Sequence, residues 1–392
     1  MKHFFYLIIA CLFFPVVISA QSVAAILQIV EEHNTTLRAL REAAEAEKTG
    51  QRTGIFLPDP ELVMEHSWKN PSSLGTKRVY GVRQSLDVAS ILGLRSRLAR
   101  FENRMVDCRY LVARKSVLLD AQLLMIDLTY SNAMLRELNR RLSHAADIEA
   151  GQRRMIDEGE GNVLDLNNAR LSLSRVRADI MSEEAERDAL LVALRDLCGG
   201  REVVFDVDSF APVSLPVDFE SWLADVERRE PSLRLARAGV EVGRGNLAVA
   251  RVGRLPKFSL GYNYENGPGE HASGLSVGVS LPLWSNRNKL RQARMAGEAA
   301  RAAELDAVKM FYGRMRSLYI RAAGLRESAS MFYNALQKSD NSRLLRKALD
   351  AGEISILDYT TSIGQYYDFV DKSLAAERDY RKARAELSAV EL

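Results

Sequence analysis

The chain has 392 residues, 47% apolar and 27% charged, with 54 basic against 51 acidic side chains for a net charge of +3. This is the composition of a folded chain able to bury a large core or a long interface, and its near balance of charge excludes nucleic-acid binding driven by bulk attraction to phosphate. The cysteines Cys11, Cys108 and Cys198 form no CxxC pair and no Cys/His group at zinc spacing, which excludes a disulfide scaffold and a structural metal.

Residues 1–20 place Lys2 and His3 ahead of an apolar run from Phe4 to Ile18 that closes on Ser19-Ala20. They read as a cleaved export signal, since the run is shorter than the ~20 residues a membrane-spanning helix needs. Cleavage before Cys11, as in a lipoprotein, would leave Leu12-Phe13-Phe14 near the new terminus and is the weaker reading. No later segment is apolar enough over about 18 residues to cross a membrane as a helix.

Residues 21–200 form a first structural unit. Ser22 to Thr53 reads as one helix, stopped by Pro58 and Pro60. A strand over about 61–69 follows, in which Leu62, Met64, His66 and Trp68 alternate with Glu61, Val63, Glu65 and Ser67. A hairpin turn is expected at residues 70–75, and a second strand over about 78–88 carries Tyr80, Val82, Gln84, Leu86 and Val88 on one face. From Ala89 the period changes to that of a helix. Leu98, Met105, Val112, Leu119, Ile126 and Ala133 recur every seventh residue, with Leu94, Phe101 and Cys108 beside them, a coiled-coil seam in which Cys108 serves packing. The helical hairpin spans about 89–198, broken at Gly159-Glu160-Gly161 and resuming from Val163 to Leu197.

Residues 201–392 repeat the order at an offset near 195. Asn34-Thr35-Thr36-Leu37 corresponds to Glu230-Pro231-Ser232-Leu233, Leu57-Pro58 to Leu255-Pro256, and Ser85-Leu86 to Ser280-Leu281. Strands are expected over about 257–265 and 273–283 around the turn Asn266-Gly267-Pro268-Gly269, and a hairpin over about 288–390 with its break at Asp350-Ala351-Gly352-Glu353. The tracts 72–211 and 283–392 contain none of the ten prolines, as long helices require when an interior proline costs about 3 kcal/mol. Gly239 and Gly243 make a GxxxG spacing in surroundings too polar for a membrane helix, and no function follows from them.

The sharpest internal match lies at the two breaks. Gly159-Glu160-Gly161-Asn162-Val163-Leu164-Asp165 aligns without gaps to Gly352-Glu353-Ile354-Ser355-Ile356-Leu357-Asp358. Each has a glycine to end one helix, a polar cap (Asn162 or Ser355) for the next, and an aspartate in its first turn. Capping and the helix dipole explain Asp165 and Asp358 as far as local sequence goes.

Strands with one apolar and one polar face, behind an export signal and with Tyr262, Tyr264 and Trp284 near the ends of the apolar bands, suit a transmembrane β-barrel better than a soluble sandwich. Four strands cannot close a barrel, so several chains must share one. Signal, duplicated helix-strand-strand-hairpin unit and the tip pattern together resemble the TolC family of outer-membrane efflux proteins over nearly all of the mature chain.

The resemblance implies a mainly α fold with a small β part, a homotrimer sharing a 12-stranded barrel and a periplasmic coiled-coil tunnel. It implies an exit duct in the outer membrane of a Gram-negative bacterium, embedded in outer-membrane lipid and coupled through a periplasmic adaptor to an inner-membrane pump. It also implies that Asp358 rings the periplasmic aperture. The family's second aspartate falls at Thr361 here, so the ring should be weaker, and Asp165 is expected to join the hydrogen bonds holding the tips. The tips, Gly159, Glu160, Gly161 and Asn162 with Gly352, Glu353 and Ser355, would dock the adaptor. A periplasmic coiled-coil adaptor is the rival reading, but it would carry one hairpin and no lipid-facing strands. No HExxH, GxSxG, P-loop or dinucleotide fingerprint is present and the histidines are scattered, so neither enzyme activity, cofactor nor metal is expected. Two basic groups, Arg95, Arg97 and Arg100 after the second strand and Arg287, Lys289, Arg291 and Arg294 after the fourth, read as solvated helix faces or as elements of a membrane boundary.

Overall fold

The computed structural model describes residues 22–68, 76–267, 269–284, 286–338 and 341–392. The export signal, the turn at 70–75 and Pro268 lie outside the described residues. The described chain contains helices α1 (Val23–His33) and α2 (Thr35–Thr53), strands β1 (Glu61–Trp68) and β2 (Thr76–Leu86), then helices α3 (Val88–Ile91), α4 (Leu94–Asp157) and α5 (Val163–Leu197). The second half follows with helices α6 (Phe219–Arg229) and α7 (Pro231–Val252), strands β3 (Lys257–Gly267) and β4 (Glu270–Ser280), and helices α8 (Lys289–Lys338), α9 (Ser342–Asp350) and α10 (Ile356–Ser388).

Several expected elements are broken where a polar side chain competes with the helix backbone. Ser22 to Thr53 is two helices, because Asn34 takes an extended conformation and donates its side-chain N–H to the Leu197 carbonyl at 2.9 Å. Glu230, its counterpart in the repeat, bends the chain in the same way: φ and ψ are −60° and 123° at Asn34 and −57° and 118° at Glu230. The second strand ends at Leu86 rather than 88, since Asp87 caps α3 by accepting the Ser90 N–H at 3.1 Å. Gly93, at φ 66°, then separates α3 from α4. The fourth strand stops at Ser280, before Pro282, which has no N–H for a ladder. In the second hairpin α8 ends at Lys338 and a separate α9 starts at Ser342 after Asn341, so the first arm is two helices rather than one.

The heptad series in α4 also differs from expectation. Ala133 and the companion Cys108 are buried, but Leu98, Met105, Val112, Leu119 and Ile126 are only half buried. The closed stripe is Leu118, Ala121, Met125 and Leu128, each at most 3% exposed. Its 3-4-3 spacing is helical, but its phase is set by the helices that pack there.

The described residues divide into two compact units. The sheet unit holds residues 35–119, 214–324 and 383–392. Its four strands form one antiparallel sheet in the order β1-β2-β3-β4. Gly243 has a packing role after all, because a Cβ there would meet the Gly297 Cα at 3.1 Å, whereas Gly239 faces open space. The helices of this unit are tied by Arg104–Glu241 at 2.7 Å and Lys48–Asp107 at 3.0 Å, and Lys115 reaches the buried Glu230 at 2.5 Å.

The tip unit holds the described residues up to Asn34 together with 120–213 and 325–382. Met134, Leu138 and Ile180 form its apolar cluster, packed by Tyr130, Val176 and Leu374. Residues 201–213 cross it without regular structure but not loosely. Phe205 is 1% exposed, and Asn132 donates to the carbonyls of Phe205 and Val207 at 3.2 and 3.0 Å. Such a segment must borrow side chains for its backbone groups.

Candidate functional site

The sheet has two chemically distinct faces. Cross-strand register aligns Leu62 with Val82, Tyr262 and Leu275, and Met64 with Tyr80 and Tyr264, while Leu260 sits beside Val277 and Phe258 beside Val279. These side chains are exposed, Leu62 at 84% and Leu275 at 87%. The opposite face aligns Val63, Gly81, Asn263 and Gly274, then Glu61, Arg83, Gly261 and Ser276, then Ser85, Ser259 and Gly278. One face is therefore a continuous apolar surface and the other is mainly small, polar or charged, the pattern of a strand set between lipid and a hydrated lumen. Aromatic side chains mark the hairpin end of the apolar face, where His66 meets Trp68 edge to face at 4.9 Å and Tyr264 stacks on His271. Among the described residues β1 pairs only with β2 and β4 only with β3, so both outer edges are open.

Both hairpin tips belong to the tip unit, and both are Schellman motifs. Gly159 (φ 80°) donates its N–H to Ile156 and Glu160 to Met155, at 3.0 and 2.9 Å. Gly352 (φ 71°) and Glu353 donate to Leu349 and Ala348 at the same two distances. Left-handed φ is nearly free for glycine and costs other residues roughly 1–2 kcal/mol. Gly161 is needed for another reason: a Cβ there would come within 2.6 Å of the Ile156 nitrogen.

The outgoing helices are capped differently. Asn162 accepts the Leu164 N–H at 2.9 Å, with Asp165 half buried in the first turn of α5. Ser355 and Asp358 form a reciprocal pair, in which the Asp358 N–H donates to Ser355 Oγ at 3.1 Å and Ser355 Oγ–H donates to Asp358 Oδ2 at 2.6 Å. This is a capping box with aspartate in the acidic position. Asp358 remains exposed, as does Thr361, whose hydroxyl donates to the Leu357 carbonyl at 2.8 Å. Thus Gly159 to Asp165 come together in one tip and Gly352 to Thr361 in the other, while no hydrogen bond or ion pair joins Asp165 to Asp358 among the described residues.

Sequence reasoning missed the polar cluster between α4 and α10 in the same unit. Arg141 is 7% exposed and donates to both carboxylate oxygens of Asp371, at 3.1 and 2.5 Å, and to Glu137 at 3.2 Å. Its guanidinium lies 4.4 Å from the Tyr367 ring centroid, and the Tyr367 hydroxyl is 3.2 Å from His144 Nδ1. Burial pushes the Tyr367 phenol up to about 12. The available signal was Arg141 on the stripe that also buries Leu138 and Ala145. Cys108 and Cys198 are buried and free, and burial pushes the Cys108 thiol up and the Cys198 thiol up to about 11. No group of three or more metal-binding side chains occurs among the described residues.

Residues 222–390 match the family described as Outer membrane efflux protein. Over 246 residues the chain is 26% identical to outer membrane protein TolC of Vibrio cholerae, covering 57% of this chain and 55% of that protein. Over 259 residues it is 23% identical to the proteases secretion protein PrtF of Dickeya chrysanthemi, covering 61% and 53% respectively. The chain spans about half the length of the curated relatives it matches. Among solved structures, CusC superposes with a TM-score of 0.78 at 15% identity, covering 95% of this chain and 92% of that one.

Proposed function

We propose that the protein is an outer-membrane exit duct for efflux or secretion, a reading supported by the match of residues 222–390 to the outer membrane efflux protein family and by the TolC-like fold. Three copies close one barrel of twelve strands, four from each chain. The duct lies in the outer membrane, extends into the periplasm, and receives its cargo from an inner-membrane transporter through a periplasmic adaptor. It is a passage and not an enzyme, and needs no cofactor. The two tips dock the adaptor, and three copies of Asp358 narrow the periplasmic entrance.

The observation that carries this reading is the two-faced sheet with open edges. An apolar face of this extent is unstable in water, and an open edge in lipid leaves backbone groups unsatisfied at several kcal/mol each. Closure by further copies satisfies both demands, which a periplasmic adaptor would not face. Light scattering of the mature protein extracted from outer membranes in mild detergent tests it. A trimer is expected, and a monomer with native strand content would overturn the reading.

A further inference from the structure

All four crossings between helix and strand lie at one end of the sheet; the last three carry the same sequence of chemistry in full, and the first carries it with Asp59 interposed before the strand and Glu61 at its start. Next to the strand stands an exposed apolar side chain: Phe56 (74% exposed) before β1, Leu92 (61%) after β2, Leu255 (48%) before β3 and Trp284 (81%) after β4. On the helix side stand exposed cations: Arg52, then Arg97 and Arg100, then Arg251 and Arg254, then Arg287, Lys289, Arg291 and Arg294. No acidic residue occurs from 88 to 101, from 242 to 264 or from 271 to 297. Asp87, beside the second crossing, is taken by Arg95 at 2.6 Å. At the hairpin end the charges are mixed instead, with Lys77 paired to Glu265 and Glu65 and Glu270 nearby.

We propose that this collar is a binding surface for anionic phospholipid headgroups in the leaflet that faces the periplasm. The inference rests on the barrel reading above. Apolar face, then exposed apolar or aromatic residue, then unopposed cation is the order a chain meets on leaving hydrocarbon through the phosphate layer. Its occurrence at three crossings distant in sequence distinguishes it from one solvated helix face. At these three crossings the deficit of nearby carboxylates leaves lipid phosphate as the complementary charge. The collar thereby fixes how deep the sheet sits, since sliding it toward the hydrocarbon would desolvate cations and sliding it outward would expose the apolar band.

The test is reconstitution of the full mature protein into phosphatidylcholine vesicles with and without phosphatidylglycerol, followed by detergent extraction and mass spectrometry of the retained lipid. Wild type should retain phosphatidylglycerol selectively. Joint replacement of Arg287, Lys289, Arg291 and Arg294 by Gln should lower that selectivity about fivefold or more while leaving trimer and insertion intact. Arg97→Gln with Arg100→Gln, on a separate helix, should lower it independently, and Lys77→Gln at the hairpin end should leave it unchanged. Insertion without phosphatidylglycerol preference, or a preference that survives both collar variants, overturns the collar alone. Failure of wild type to insert into either vesicle overturns the barrel reading with it. Collar variants that keep the lipid preference but alter the ion selectivity of the channel would place the cations in the lumen and overturn the proposal.

Discussion

Arg141 on α4 and Asp371 on α10 meet through two parallel hydrogen bonds at 3.1 and 2.5 Å, and burial is uneven between them, with side chains 8% and 40% exposed. The asymmetry decides which deletion matters. Asp371→Ala leaves a nearly buried guanidinium with Glu137 as its remaining carboxylate, and should cost about 2–3 kcal/mol, less than for a fully buried pair because the site borders solvent. Arg141→Met puts an apolar chain on a stripe already shared with Leu138 and Ala145 and lets Asp371 rehydrate, so it should cost under about 1.5 kcal/mol. Thermal unfolding of the two variants followed by circular dichroism gives the order, and a larger loss for Arg141→Met would contradict it.

Cys198 caps the end of α5 at 0% exposure, and burial alone raises its thiol from an ordinary 9.0 to about 11. Between those values the unfolded chain has released the proton and the folded chain still holds it. Stability should therefore fall as pH rises from 9 to 11, with a slope near 1.4 kcal/mol per pH unit from this group, and be unaffected by it below pH 9. Tyrosines and lysines also titrate there, so the measurement is the difference in melting temperature between wild type and Cys198→Ala across that range. Parallel curves would show that the thiol ionises over the same pH range in the folded and unfolded chain.

What the sequence made legible follows the range of the forces involved. The strands announce themselves through period-2 alternation, because the two faces of the sheet differ in polarity residue by residue, as at Phe258, Leu260, Tyr262 and Tyr264. The tips are legible because Gly159 and Gly352 meet a local steric demand. The bend at Asn34 depends on the carbonyl of Leu197, and Arg141 finds Asp371 far along the chain. The phase of the buried stripe in α4 likewise depends on its neighbours, which a seven-residue repeat alone does not name. The strap at 201–213 has no period at all, since its order comes from Asn132, Arg136 and Tyr380 on the helices it crosses.

At the tips, the two repeats should respond differently to equivalent changes. Gly352→Val places a β-branched residue at φ 71°, and Gly352→Pro also removes the N–H given to Leu349, so either should deform the second tip at a cost of about 1–3 kcal/mol. Export and cross-linking to the adaptor should fail while outer-membrane insertion persists. Gly161→Ala should deform the first tip through its clash with Ile156, yet Ile354→Gly at the aligned position of the second should be tolerated. Normal efflux with normal adaptor cross-linking in Gly352→Pro would remove docking from this tip.

Asp358 has one observed role and one proposed, which Asp358→Ala cannot separate, because its carboxylate completes the box with Ser355 and is also the charge proposed for the entrance. Asp358→Ala removes both, and part of its effect, about 1 kcal/mol at the start of α10, is loss of the cap. Asp358→Asn keeps an oxygen to accept from Ser355 and discards only the charge. Three carboxylates brought to an axis at ~8 Å and an effective dielectric of ~40 repel by about 1 kcal/mol per pair, enough to attract divalent cations. With Thr361, bonded to its own helix at Leu357, in place of a second acid, a single ring must supply that attraction. Single-channel recordings of inserted trimers should show Asp358→Asn reducing divalent block and cation selectivity nearly as far as Asp358→Ala, whereas Asp165→Ala should alter opening more than selectivity. Serine offers the control: Ser355→Ala weakens the cap but keeps the charge, and should leave block intact. If Asp358→Asn behaves as wild type while Ser355→Ala and Asp358→Ala share a defect, the carboxylate acts only as a cap and the entrance is set by other residues.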